Sequence, residues 1–213
     1  MAEVPNTRAS TVALLGTLRE LHAALPRYDL RRLEELIAAR KPDLLCVEVD
    51  RQDWESNHLD RAPVESRQAL ASLARSSEIT LVPIGGGGRD WGESGVAPPR
   101  RGLLAALRGR LFRALDRVTV GLMRLAGGPR AVNSSLVEHL CGALCGLQVS
   151  LADPEARAAW EARNQELLEG ILWIAGRDPG RRVLVALDCR RKHWLRRQLQ
   201  QVREVSLVDF WRF

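Results

Sequence analysis

With 213 residues, 46% hydrophobic and 27% charged, the chain has material for one self-supporting core. That balance excludes a disordered protein, and no apolar run approaches the roughly 20 residues that span a bilayer. The formal net charge is +6, carried by arginine, since Lys41 and Lys192 are the two lysines.

The first ten residues hold Glu3 and Arg8 and no apolar stretch. They do not read as a signal peptide, and a cytoplasmic location is expected. Residues 11–16 are a short apolar run ending in Gly16, the pattern of a buried parallel strand. Asp29 is placed to cap a helix whose stripe is Leu30, Leu33, Leu36 and Ile37. Pro42 ends that helix. Residues 44–49 predict a second buried strand, interrupted by Glu48. A helix over 64–75 leads to a third strand at 79–84. Strand–helix–strand order predicts a mainly parallel sheet flanked by helices, an α/β fold.

Gly85 to Gly88 open a loop rich in glycine and proline that runs to Pro99. These glycines match neither a Walker nor a dinucleotide fingerprint, so a lid is the expectation. In the helix that follows, Leu104, Leu107, Leu111, Leu115, Val118, Leu122 and Leu125 share one face, with Arg110, Arg113, Arg117 and Arg124 opposite. Such a stripe is expected to pack on its own domain. Ser135 and Glu138 form a capping-box pattern for the next helix. Asp153 and Pro154 open a third, reaching about Gly176. Residues 183–187 predict a strand, 191–201 a helix, and 205–208 a last strand. The expected organisation is one domain, 1–213, with a helical insertion at about 100–152 between the third and fourth strands.

The cysteines lack zinc-type spacing and are expected as small buried thiols. Residues 100–130 hold eight arginines against Asp116, and residues 177–203 hold nine basic side chains against Asp178 and Asp188. Basic surfaces of this kind attract phosphate or anionic lipid. DNA is not expected as a partner, nor single-stranded nucleic acid, because the six tryptophans are scattered and face no basic strand. No Gly-x-Ser-x-Gly elbow is present, and His58 and His139 belong to no motif.

Four pieces occur in order: Leu14–Thr17, Lys41–Asp43 with Glu48, Ala162–Asn164, and Val183–Leu187 followed by Asp188–Arg191 and His193–Leu195. In this order they resemble the TraB, PrgY and Tiki proteins with their ChaN-like and erythromycin-esterase-like relatives. The resemblance spans about Val12 to Val208. In that family, strand one ends in Gly-x-x-His, strand two carries Glu, a helix carries Arg-Asn or Arg-Asp, and a later strand ends in a second Gly-x-x-His. The resemblance implies a divalent-metal site at the carboxyl ends of the strands that hydrolyses amide or ester bonds. Glu48, Arg163 and Asn164 match the catalytic positions. The first motif reads Gly16-Thr17-Leu18-Arg19, with Arg19 at the histidine. The second reads Asp188-Cys189-Arg190-Arg191, with Asp188 at the glycine and Arg191 at the histidine.

Arginine has no lone pair to offer a metal and stays protonated. The expectation is therefore a catalytically degenerate member without metal or other cofactor. Arg19 and Arg191 are expected to face Glu48, leaving surplus positive charge that binds a small anion or a protein partner through Gly16, Thr17, Arg19, Asp188 and Arg191. Two alternatives stand beside this. One is an active metal-dependent hydrolase using Glu48, Asp188 and a displaced His22 or His193. The other is a docking module that meets a membrane surface or a partner helix through residues 101–125.

Overall fold

A computed structural model describes residues 9–85 and 103–213. The Gly86–Gly88 part of the predicted lid, and the loop to Pro99, lie outside the described residues. The chain runs through β1 (Ser10–Thr17), α1 (Leu30–Arg40), β2 (Leu44–Val47), α2 (Arg51–Glu55), α3 (Ala71–Ser76) and β3 (Thr80–Pro83). Four helices follow: α4 (Leu103–Ala126), α5 (Pro129–Val132), α6 (Ser135–Leu151) and α7 (Pro154–Arg177). Then come β4 (Arg182–Asp188), α8 (Cys189–Leu199) and β5 (Val205–Val208).

All strand pairs are parallel, in the order β3-β2-β4-β1-β5. Continuous apolar strands are explained by burial on both faces. Val12 and Leu14 of β1 join Val183 and Val185 of β4 in a core closed by Leu167 and Ile171 of α7 and Leu195 and Leu199 of α8. The alternate residues Ala13, Leu15, Leu184 and Ala186 face the other core, closed by Leu33 and Ile37 of α1, Met123 and Cys141. All four cysteines are buried and free.

Asp29 caps α1, accepting from the Arg32 N–H at 2.7 Å, and Asp153 caps α7, accepting from the Ala156 N–H at 2.8 Å. Lys41 ends α1 in the left-handed region at φ 46°. Two local expectations are corrected. The cap of α6 is Ser134, one residue before the predicted Ser135, and it accepts from the Val137 N–H. Glu138 does not reach back to complete a capping box. It is buried and pairs with Lys192 at 3.1 Å and Arg196 at 2.6 Å, tying α6 to α8.

The second correction concerns α4. Its buried side chains are Phe112, Thr119 and Met123, each one position beyond a member of the predicted stripe. One residue is about 100° of rotation. Packing against α6 and, through Met123, against Cys189 of α8 selects that neighbouring face. It leaves Leu107, Leu111, Val118 and Leu125 exposed.

Candidate functional site

Strand order places the ends of β1, β4 and β2 side by side, and parallel α/β sheets present sites at those carboxyl ends. Thr17 pairs in register with Asp188, and Val47 with Ala186, so Glu48 falls one step beyond β2 beside the end of β4. The Asp188 N–H donates to Glu48 Oε2 at 3.2 Å. Arg191, one turn into α8, brings its Nε to 3.1 Å from Glu48 Oε1.

That ion pair is sealed. The Arg191 side chain is 0% exposed and that of Glu48 2%. Arg191 Nη1 donates to Asn164 Oδ1 at 2.9 Å, and its guanidinium carbon lies 4.4 Å from the centre of the Trp160 ring. Both partners sit on α7, so Arg191 joins the sheet edge, α7 and α8. The expectation that Arg191 faces Glu48 matches this geometry. Enclosed on these sides, the guanidinium is turned into the protein rather than to solvent.

Asp188 accepts from the Arg190 N–H at 2.9 Å and so caps α8. Burial pushes its carboxyl up, but the nearby Arg190, Arg19 and Arg191 outweigh this and hold it below the usual carboxylate range. Arg190 pairs with Asp116 of α4 at 2.9 Å. Arg191 is thus matched by Glu48 and Arg190 by Asp116, and Asp188 feels the charge of Arg19 as well. Arg19 occupies the left-handed region at φ 51°. It shares an open groove of about 210 Å³ with Leu18, Leu21, Val120, Met123 and Asp188.

The divalent metal implied by the family resemblance does not fit these residues. One Glu48 oxygen meets a guanidinium and the other accepts a backbone N–H, and the arginine stands where a cation would have to enter. Among the described residues, no group of three or more His, Cys, Asp or Glu is placed to hold a metal. No family model matches the chain, nor does any curated protein or solved structure.

The displaced-histidine alternative meets its own obstacles. His22 is buried with both ring nitrogens engaged: Nε2 accepts from the Leu18 N–H at 3.0 Å and Nδ1 lies 2.6 Å from the Tyr28 carbonyl. Burial lowers its pKa, consistent with a neutral ring that braces the turn after β1. His193 packs over Gly142 of α6, where an added Cβ would come within 2.7 Å of its ring. It follows Arg191 by two positions, so it points to the opposite side of α8. Arg163 is half-buried on α7, and Asn164, its buried neighbour, is the one that meets Arg191.

Gly16 is held by Asn133, whose Oδ1 accepts the Gly16 N–H at 2.7 Å. The Gly16 carbonyl accepts from the Tyr28 hydroxyl at 2.7 Å. An added Cβ would lie 3.1 Å from Asn133 Oδ1 and 3.3 Å from Cys189 Cβ. Its backbone is therefore a structural joint rather than a ligand cradle. Thr17 instead donates its hydroxyl to Glu65 Oε1 at 2.5 Å.

Three site residues carried no sequence signal: Trp160, Asn133 and Glu65. Asn133 also accepts from Lys192 Nζ at 3.0 Å, so it fastens α8 to β1. Glu65 precedes a π-helical turn, Ser66–Leu70, a distortion that often accompanies function. Burial pushes its carboxyl up to about 7, against the opposing bond from Thr17 and the charge of Arg19.

Proposed function

We propose that this chain is a catalytically degenerate protein of the TraB/Tiki type that binds an anionic ligand at the carboxyl edge of its sheet. The observation that carries this reading is the buried Glu48–Arg191 pair. It puts a fixed internal cation against the carboxylate that the resemblance places among the catalytic positions. A guanidinium cannot activate water as a Lewis acid does, and it stays charged at any working pH. The remaining capacity of the edge is recognition.

Arg19 supports the binding half. A non-glycine residue held at positive φ costs of order 1–3 kcal/mol, and such strain concentrates at functional sites. Here it stands at the wall of a groove that combines the apolar Leu18, Leu21, Val120 and Met123 with the charged Glu20, Asp188 and Arg190. The groove sets the Arg19 and Arg190 guanidiniums beside apolar walls, so the ligand class proposed is a compact carboxylate or phosphate on an apolar body, met by Arg19. Inorganic phosphate is the simplest probe of the charged part. Phosphate is expected to raise the melting temperature more than chloride at matched ionic strength, following the usual linkage of binding to stability. Arg19→Asn deletes the guanidinium while tolerating the left-handed backbone, and it is expected to remove the difference. Equal responses to the two anions in the wild-type protein would eliminate the anion-binding reading.

A further inference from the structure

We propose that the α4–α6 face is a docking surface for an anionic lipid bilayer. This rests on observations independent of the site at the sheet edge. No helix among the described residues is long and apolar enough to cross a membrane, so the contact would be peripheral.

The two helices form an antiparallel hairpin through α5, with Arg108 Nη2 of α4 donating to the Ala152 carbonyl just past α6 at 3.4 Å. Since Phe112, Thr119 and Met123 serve the core, α4 carries a second apolar stripe turned to solvent. Leu107, Leu111, Val118 and Leu125 repeat at spacings of four and seven, and Leu125 is 87% exposed. On α6, Leu136, Leu140 and Leu147 repeat at the same spacings, and Leu136 is 68% exposed. Spacings of four and seven keep each set on one side of its helix.

The half-buried Leu115 and Leu122 lie between the α4 stripe and the buried face, and Leu144 does the same on α6. The stripes therefore border the seam between the helices rather than its opposite sides. From Leu107 to Leu125 the apolar ridge runs about 27 Å at 1.5 Å per residue. Exposed apolar side chains aligned in this way are the kind of surface that marks an interaction site.

Charge selects the partner. Arg110, Arg117 and Arg124 recur every seven residues on α4, turned about 100° from the leucine stripe, and with Arg113 all four are exposed. The acids of the two helices are turned inward, Asp116 to Arg190 and Glu138 to Lys192 and Arg196. Among the described residues of α4 and α6, the face thus offers leucine and arginine without an exposed carboxylate. A second copy of this chain would bring like-charged arginine rows together with no acid to meet them. An anionic bilayer accepts both components: leucines enter the headgroup boundary, and arginines reach up to lipid phosphates. Basic side chains near such a surface add an attraction that salt screens.

The test is co-sedimentation of the full chain with vesicles of phosphatidylcholine containing roughly 30% phosphatidylserine, beside pure phosphatidylcholine vesicles. Binding is expected to the anionic vesicles alone and to collapse at high salt. Val118→Glu, placed on the exposed stripe, is expected to weaken it at least tenfold while leaving the melting temperature within a degree or so, as exposed substitutions usually do. Arg113→Ala/Arg117→Ala is expected to weaken it and reduce its salt dependence. The proposal is overturned if neither vesicle binds. It is equally overturned if the chain elutes as a dimer that Val118→Glu dissociates, which would assign the leucines to a second copy.

Discussion

Replacing Arg191 with alanine is expected to cost about 3–5 kcal/mol of folding stability, the usual consequence of removing one partner from a buried ion pair. The loss arises because the Glu48 carboxylate stays enclosed after losing the charge opposite it. The bond to Asn164 and the contact with Trp160 go as well. For a chain of this size each kcal/mol shifts the melting temperature by roughly 2–4 °C, so a fall of about 10 °C or more is anticipated. The penalty belongs mainly to the orphaned charge rather than to the pair itself. Glu48→Gln/Arg191→Met is therefore expected to recover most of it, because well-packed neutral replacements of buried pairs are often near neutral. The introduced amide oxygen would still accept from the Asp188 N–H. Thermal or urea unfolding of the wild type, both single variants and the double variant gives the coupling energy directly. A loss below about 1 kcal/mol in Arg191→Ala would show a solvated, exchangeable pair.

Glu65 gives the second large effect, through pH. Its native carboxyl is pushed up to about 7, whereas the ordinary value is 4.5. Between these values the folded protein keeps a proton that the unfolded chain releases. The stability due to this group is fully present below about pH 4.5 and is lost as pH rises through about 7. The full swing is about 3 kcal/mol. Asp188, held below the usual carboxylate range, loses its contribution only at more acid pH and does not obscure this window. Glu65→Gln keeps the acceptor for Thr17 and cannot ionise. Its urea midpoint should exceed that of the wild type by a widening margin from pH 5 to pH 8. Parallel profiles for the two proteins would mean that Glu65 titrates normally and that its enclosure is open to water.

The parallel sheet was legible because strands buried on both faces must be apolar throughout, as residues 11–16 and 183–187 are. Asp29 and Asp153 announced helices because a short acceptor at the cap has few other uses. Strand order was not legible: β4 inserts between β1 and β2, and that long-range pairing leaves no local trace. Alternatives within one pattern also escaped. Ser134 and Ser135 are equally suited to capping, and the choice falls to where the chain leaves α5. In α4 the richer leucine stripe suggests the inner face, yet tertiary contacts bury the Phe112–Thr119–Met123 face.

At the site, the pairing of Arg191 with Glu48 followed from their places in the ordered pieces and from charge. Arg191's burial under Trp160 did not follow, because one aromatic residue on a helix carries no pattern. Asn133 and Glu65 act through buried hydrogen bonds to residues over 100 and over 40 positions away in sequence. Such contacts are set by the folded shape alone.

Whether the cation opposite Glu48 is Arg191 or a metal decides between recognition and hydrolysis. The most direct measurement is the melting temperature of the purified wild-type protein with excess chelator and then with zinc, manganese or cobalt, beside its metal content. The expected result is no stoichiometric metal and the same melting temperature throughout, because both Glu48 oxygens already have partners. A tightly bound transition metal, or a saturable metal-dependent rise in melting temperature that the chelator reverses, would contradict it.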